Sequence, residues 1–97
     1  MKRYAEPEMT VGLLTNHGHV LVCAAREPGM TLREIAECVG VTERTAHTLV
    51  CELEHAGYLT RHRSGRRNRY EIHAEAGLRH ELEDGATVGD LVAALTT

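Results

Sequence analysis

A chain of 97 residues with three Tyr and no Trp or Phe has room for one domain, its core built mainly of Leu, Val, Ala and Ile. Chains of this size bury only some 60–70% of their unfolded surface, and a net charge of −3 argues against a protein that coats nucleic acid regardless of sequence. No run of about 18 apolar residues suggests a membrane span, and MKRYAEPEMT lacks the apolar centre of a signal peptide, so the sequence points to the cytoplasm and to reduced thiols.

Residues 1–14 read as an N-terminal arm, in which Val11, Leu13 and Leu14 form a short apolar patch suited to a neighbour. Thr15 or Asn16 can cap a helix over roughly 17–27, with Val20, Leu21, Ala24 and Ala25 inward, and Pro28-Gly29 breaks the chain after it. Thr31, followed three residues later by Glu34, makes a capping box. Leu32, Ile35, Ala36 and Val39 then recur at helical spacing. Gly40 lies just past that stripe, where a left-handed residue ends a helix at least cost, and Val41 is placed to plug the angle to the next helix. Thr42 offers another N-cap, opening a helix over 43–56 whose buried stripe is Ala46, Leu49, Val50, Leu53 and Ala56. Gly57 is expected to take the left-handed cap, with Tyr58 folded back onto the last turn.

Two helices joined by a tight Gly-containing turn make a helix-turn-helix, and TRHRSGRRNRYEI after them predicts a hairpin that adds a wing. The expected fold is therefore α+β, mainly α. A winged helix-turn-helix over 15–72 combines a three-helix core with a β-hairpin wing, and a short C-terminal helix follows. Arg61, Arg63, Arg66, Arg67 and Arg69 put five positive charges and no carboxylate into nine residues, which leaves −8 for the rest of the chain. A basic loop with Ser64-Gly65 at its tip suits phosphate contacts, so Arg63, Ser64, Arg66, Arg67, Asn68 and Arg69 are candidate DNA-binding residues of the wing. The plainer alternative is a solvated hairpin whose arginines only protect an edge strand.

The exposed side of the 43–56 helix is less basic. Thr42, Arg44, Thr45, His47 and Thr48 are the candidates for reading bases, with Arg44 able to pair bidentately with guanine. Glu43 and Glu52 are acidic and oppose nearby phosphates; Glu43 also suits the positive end of the helix or a cytosine amine. Thr31 and Arg33, at the start of the preceding helix, are further phosphate candidates.

The stretch VTERTAHTLVCELEHAGYLTR resembles the recognition helix and its flanks in the MarR/ArsR-type winged-helix transcriptional regulators of bacteria and archaea, and the resemblance extends over about residues 15–72. It rests on the Val-Thr that opens the helix and on the Leu-Glu-x-Ala-Gly-Tyr-Leu-x-Arg run that closes it. The resemblance implies a homodimer that places one recognition helix per subunit in the major groove of double-stranded DNA, with the wing on phosphates or the minor groove beside it. A small-molecule effector is left open.

Residues 73–97 read as an acidic loop with a turn of helix, then an amphipathic helix capped by Thr87 and carrying Val88, Leu91, Val92 and Leu95 on one side. That side suits either the chain's own domain or, as the favoured reading, a second subunit. Cys23, Cys38 and Cys51 show no paired spacing of a zinc site, and the paired Cys motif of metal-sensing ArsR relatives is absent. Cys23 and Cys38 are expected as small buried hydrophobes, and Cys51 as either inert or an exposed redox thiol. His73 and His80, near Glu81, Glu83 and Asp84, read as a solvated acidic loop before a metal site. No cofactor, metal or membrane is implied.

Catalysis has no motif behind it: no nucleophile order or phosphate-cradling glycine loop is present, and Glu52 and Glu54 diverge on their helix. The sequence thus points to a sequence-specific DNA-binding transcriptional regulator. The alternative is a winged-helix module that binds a protein and touches DNA weakly or not at all.

Overall fold

The computed structural model describes residues 11–65 and 67–96. Three helices, α1 (Asn16–Arg26), α2 (Leu32–Val39) and α3 (Glu43–His55), lead into an antiparallel hairpin of β1 (Leu59–Ser64) and β2 (Arg67–Ile72). A 3-10 turn at Glu81–Glu83 and a last helix, α4 (Val88–Leu95), follow. This is the expected α+β winged helix-turn-helix.

Every α-helix starts at a threonine whose hydroxyl accepts a backbone N–H two or three residues into the helix, one of the donors a helix leaves without an internal partner. Thr15, rather than Asn16, caps α1 by accepting from Gly18. Thr31 accepts from Glu34 N at 3.1 Å while the Glu34 carboxylate accepts from Thr31 N at 2.9 Å, which completes the capping box of α2. Thr42 caps α3 through Thr45 N, and Thr87 caps α4 through Asp90 N. Beyond α2, Gly40 has φ 90° and Val41 N–H reaches back to Ala36 O at 3.0 Å. Gly57 repeats this after α3, with Tyr58 N–H on Leu53 O at 2.9 Å. A side chain at either position would carry about 1–2 kcal/mol of left-handed strain.

The core lies where α1, α2 and α3 meet beneath the hairpin. Val20, Leu21 and Ala24 of α1 pack on Ile35 and Ala36 of α2 and on Ala46, Leu49, Val50 and Leu53 of α3, and Leu59 and Tyr70 close it from the strands. Leu32, Val39 and Val41 are half-buried at its edge. Ala56 does not continue the α3 stripe as predicted; it is exposed, because the helix is already reversing into its glycine cap. The strands pair from Leu59–Ile72 to Ser64–Arg67. Tyr70 N–H bonds Pro28 O at 2.9 Å, so the outer edge of β2 is tied to the turn that precedes α2.

Two further features depart from the sequence reading. Cys23 and Cys38 form a disulfide between α1 and α2, their Cα atoms 6.8 Å apart. This overturns the expectation of two reduced thiols acting as small buried hydrophobes, since Cys38 is exposed and only Cys23 is buried. The turn between the helices lays α2 back across α1 and brings together two residues separated by 15 positions.

The second departure concerns α4. The chain after β2 doubles back, with a bridge between Gly77 and Thr87 and a bond from Val88 N–H to Ala76 O at 2.8 Å. Arg26 donates to Leu95 O at 2.9 Å, joining the far ends of α1 and α4. Val88 is wholly buried in this chain's own core and Val92 packs against it. Of the four residues predicted to meet a partner, this leaves the half-buried Leu91 and the exposed Leu95.

Candidate nucleic-acid interface

Helix α3 is held from both sides, which fixes the direction its exposed face points. His17 of α1 bonds Glu52 at 2.8 Å. Arg61 of β1 pairs with Glu54 at 3.4 Å and also reaches the Cys51 sulfur at 3.7 Å. The face left outward carries Glu43, Arg44, Thr45, His47 and Thr48, all exposed. The Thr42 hydroxyl both caps the helix and donates to the Thr45 hydroxyl at 3.0 Å. Thr48 turns its hydroxyl proton back onto Arg44 O at 3.2 Å, which leaves its methyl and lone pairs outward. Arg44 makes no ion pair among the described residues and is the long cationic side chain of this face.

The hairpin is joined to α3 through Arg61, Cys51 and Glu54, and the structure divides its predicted contacts. Arg63 and Arg69 are exposed and without an acidic partner among the described residues, and Ser64 is exposed at the end of β1. Asn68 is half-buried and its amide lies 3.5 Å from the Tyr70 hydroxyl. Arg67 turns inward instead: its Nη1 donates to Gly29 O at 2.6 Å and lies 3.3 Å from Glu34. Arg66 lies outside the described residues. At the start of α2 the Thr31 hydroxyl is taken up by its cap, and Arg33 makes an exposed i, i+4 pair with Glu37 at 3.8 Å.

Two carboxylates of this region are held below their ordinary acidity range. The backbone N–H of Thr31, followed by the charge of Arg67, lowers the pKa of Glu34. A hydrogen bond from His62, across the hairpin at 2.9 Å, lowers that of Glu71.

His73 bonds Thr60 and Gly57 O, and the His80 ring accepts from Leu82 N, so both histidines serve local structure. Among the described residues no three His, Cys, Asp or Glu side chains converge as a metal site, and no helix is long and apolar enough to cross a membrane. Sequence reasoning missed the inward role of Arg67, the brace from Arg61 to Glu54 and the His17–Glu52 tie. Each joins residues 7 to 38 positions apart on different parts of the fold, where no local spacing signals a contact.

The order of helices, the outward face of α3 and the basic hairpin after it agree with a family comparison. The sequence model of the MarR family matches residues 14–68, more than half of the chain. The chain belongs to the MarR family. The match falls on the MarR side of the resemblance drawn from the recognition helix. Solved structures similar to this MarR-family chain include the PcaV transcriptional regulator of Streptomyces coelicolor in complex with its natural ligand. PcaV is 29% identical, covers 61% of this chain and 44% of its own length, and has a TM-score of 0.55.

The MarR family protein Rv2887 of Mycobacterium tuberculosis, complexed with salicylic acid, is 31% identical over 63% of this chain and 48% of its own, with a TM-score of 0.52. A mutant of the Staphylococcus aureus transcription regulator MepR, bound to an oligodeoxyribonucleotide, is 26% identical over 59% and 45%, with a TM-score of 0.51. This MarR-family chain spans less than half the length of each of these proteins. A comparison with curated proteins gave no match.

Proposed function

We propose that this MarR-family chain is a sequence-specific DNA-binding transcriptional regulator, or the DNA-reading part of one. The observation that carries the reading is an outward α3 face that carries Arg44, together with a hairpin, tied to α3 through Arg61 and Glu54, on which Arg63 and Arg69 are exposed without acidic partners among the described residues. A helix about 10–12 Å across fits a major groove about 12 Å wide. In this reading Arg44, Thr45, His47 and Thr48 meet base edges and Thr42 stands at the backbone. Arg63, Arg69 and Ser64, with Arg66, grip phosphates. The MepR relative, bound to an oligodeoxyribonucleotide, supports the same partner for this chain.

The reading includes a homodimer and a cytoplasmic location; the location rests on the regulator role and not on the cysteines, since a Cys23–Cys38 bridge is uncommon in that compartment. Leu13 is 94% exposed and Leu95 41% exposed, and together with Leu91 they offer an apolar surface that a second copy would cover. Two recognition helices related by a two-fold axis would then read half-sites about one helical turn apart.

The test is fluorescence anisotropy with the duplex upstream of the chain's own gene, titrated at several salt concentrations against random duplex competitor. Submicromolar binding that outlasts the competitor is expected. Replacing Arg63 and Arg69 by Ala should flatten the salt slope by about 0.9 for each phosphate that is no longer neutralised. Binding indistinguishable from random duplex, here and in a genome-wide selection of fragments, would replace this reading with the protein-binding module.

A further inference from the structure

Arg67 has the position of a phosphate contact and the bonds of a brace. Its Nη1 donates to Gly29 O at 2.6 Å in the turn before α2, and the same nitrogen lies 3.3 Å from Glu34 Oε1. That carboxylate oxygen is itself fixed, because it accepts from Thr31 N–H in the capping box at 2.9 Å. Three residues along β2, Tyr70 N–H bonds Pro28 O. The outer edge of the wing is therefore attached at two points to the segment that leads into the helix-turn-helix. We propose that Glu34 and Arg67 form a latch that sets the wing against the helix-turn-helix, making Arg67 a positioning residue for DNA binding rather than a phosphate contact.

Charge and direction both favour this assignment. A guanidinium paired with a carboxylate brings almost no net charge to a polyanion, and counterion release needs net positive charge at the phosphates. Both partners are about half exposed, at 56% and 46%, so the pair adds little to overall stability. Its effect is geometric: it determines where Arg63 and Arg69, on the same hairpin, stand relative to Arg44 on α3. Glu34 is held ionised by Thr31 N–H and by Arg67, so the latch is charged at neutral pH.

The inference rests on the DNA-binding reading, and its test separates the two. Glu34→Gln, Arg67→Ala and the double variant would be titrated by anisotropy against a duplex selected from a random pool with the unaltered chain. Amide exchange of β2 would be followed in the same proteins without DNA. The latch predicts that Glu34→Gln weakens binding about fivefold, the size of a surface charged pair, although the change removes negative charge from a face that meets DNA.

It further predicts that Arg67→Ala weakens binding by a similar amount, that the double variant is no worse than either, and that the salt slope does not change. The Tyr70 amide should exchange faster in both single variants. Tighter or unchanged binding in Glu34→Gln, or a slope reduced by about 0.9 in Arg67→Ala, would make Arg67 a phosphate contact and overturn the latch. If no duplex is selected at all, the DNA-binding reading fails by itself. The Tyr70 amide then decides the latch, and an unchanged exchange rate would overturn it.

Discussion

Opening the Cys23–Cys38 bridge should cost this small domain a large share of its stability. The bond closes a loop of 15 residues that contains the turn at Pro28-Gly29 and most of α2. Restricting a loop of that length in the unfolded chain is worth about 3 kcal/mol at room temperature on the chain-entropy account. For a domain of this size each kcal/mol moves the melting midpoint by roughly 4–8 °C, so Cys38→Ser should lower Tm by about 12–24 °C. Cys38 is the residue to replace, because it is exposed and a serine there leaves the core intact, whereas Cys23 is buried beside it.

The assay is thermal unfolding followed by circular dichroism, with and without excess dithiothreitol, and with thiols counted by alkylation of the denatured, unreduced protein. One alkylated cysteine, Cys51, is expected before reduction and three after. Reduced wild type and Cys38→Ser should melt together. Three reactive thiols in the untreated protein would refute the bridge. A single thiol combined with a loss under about 1 kcal/mol would instead refute the entropic argument.

Two further outcomes follow from the caps and from the hairpin. Thr42→Ala should destabilise the domain by about 1 kcal/mol in urea unfolding. Thr42→Asp should keep that stability, yet weaken duplex binding in the anisotropy titration by placing a negative charge at the DNA-facing end of α3. The folded state holds Glu71 below its ordinary pKa of 4.5, so the stability His62 confers is present above that pH and is lost as pH falls through the lowered value. His62→Ala should therefore lower the plateau above that pH slightly, leave stability below the folded-state pKa nearly unchanged, and so flatten the acid limb of a stability–pH curve measured by urea unfolding; an unaltered acid limb would count against the His62–Glu71 bond.

What could be read from the sequence was what is local. Thr31 with Glu34, Gly40, Thr42 and Gly57 mark the ends of α2 and α3, because a cap is set by residues within four positions of it. The apolar stripe through Ala46, Leu49, Val50 and Leu53 placed α3 on the core, and the basic stretch with Ser64-Gly65 at its tip marked a hairpin. What escaped was set by how the elements cross. Cys23 meets Cys38 only once α2 lies over α1, and Arg67 faces Glu34 only once β2 lies beside the turn before α2. The same limit applies to α4: its stripe told that Val88 would be buried but not against which chain.

The arginines of the hairpin differ in how much freedom they still have. Arg61 is bound to Glu54 and Cys51, and Arg67 to Gly29 and Glu34, so both have given up rotamer entropy when the chain folds. Arg63 and Arg69, exposed and without such partners among the described residues, retain theirs. Ordering a long side chain at an interface costs about 0.5–1.5 kcal/mol. Within the hairpin, association with a duplex would thus concentrate the cost of ordering side chains in Arg63 and Arg69, while the two arginines that hold its frame are already fixed.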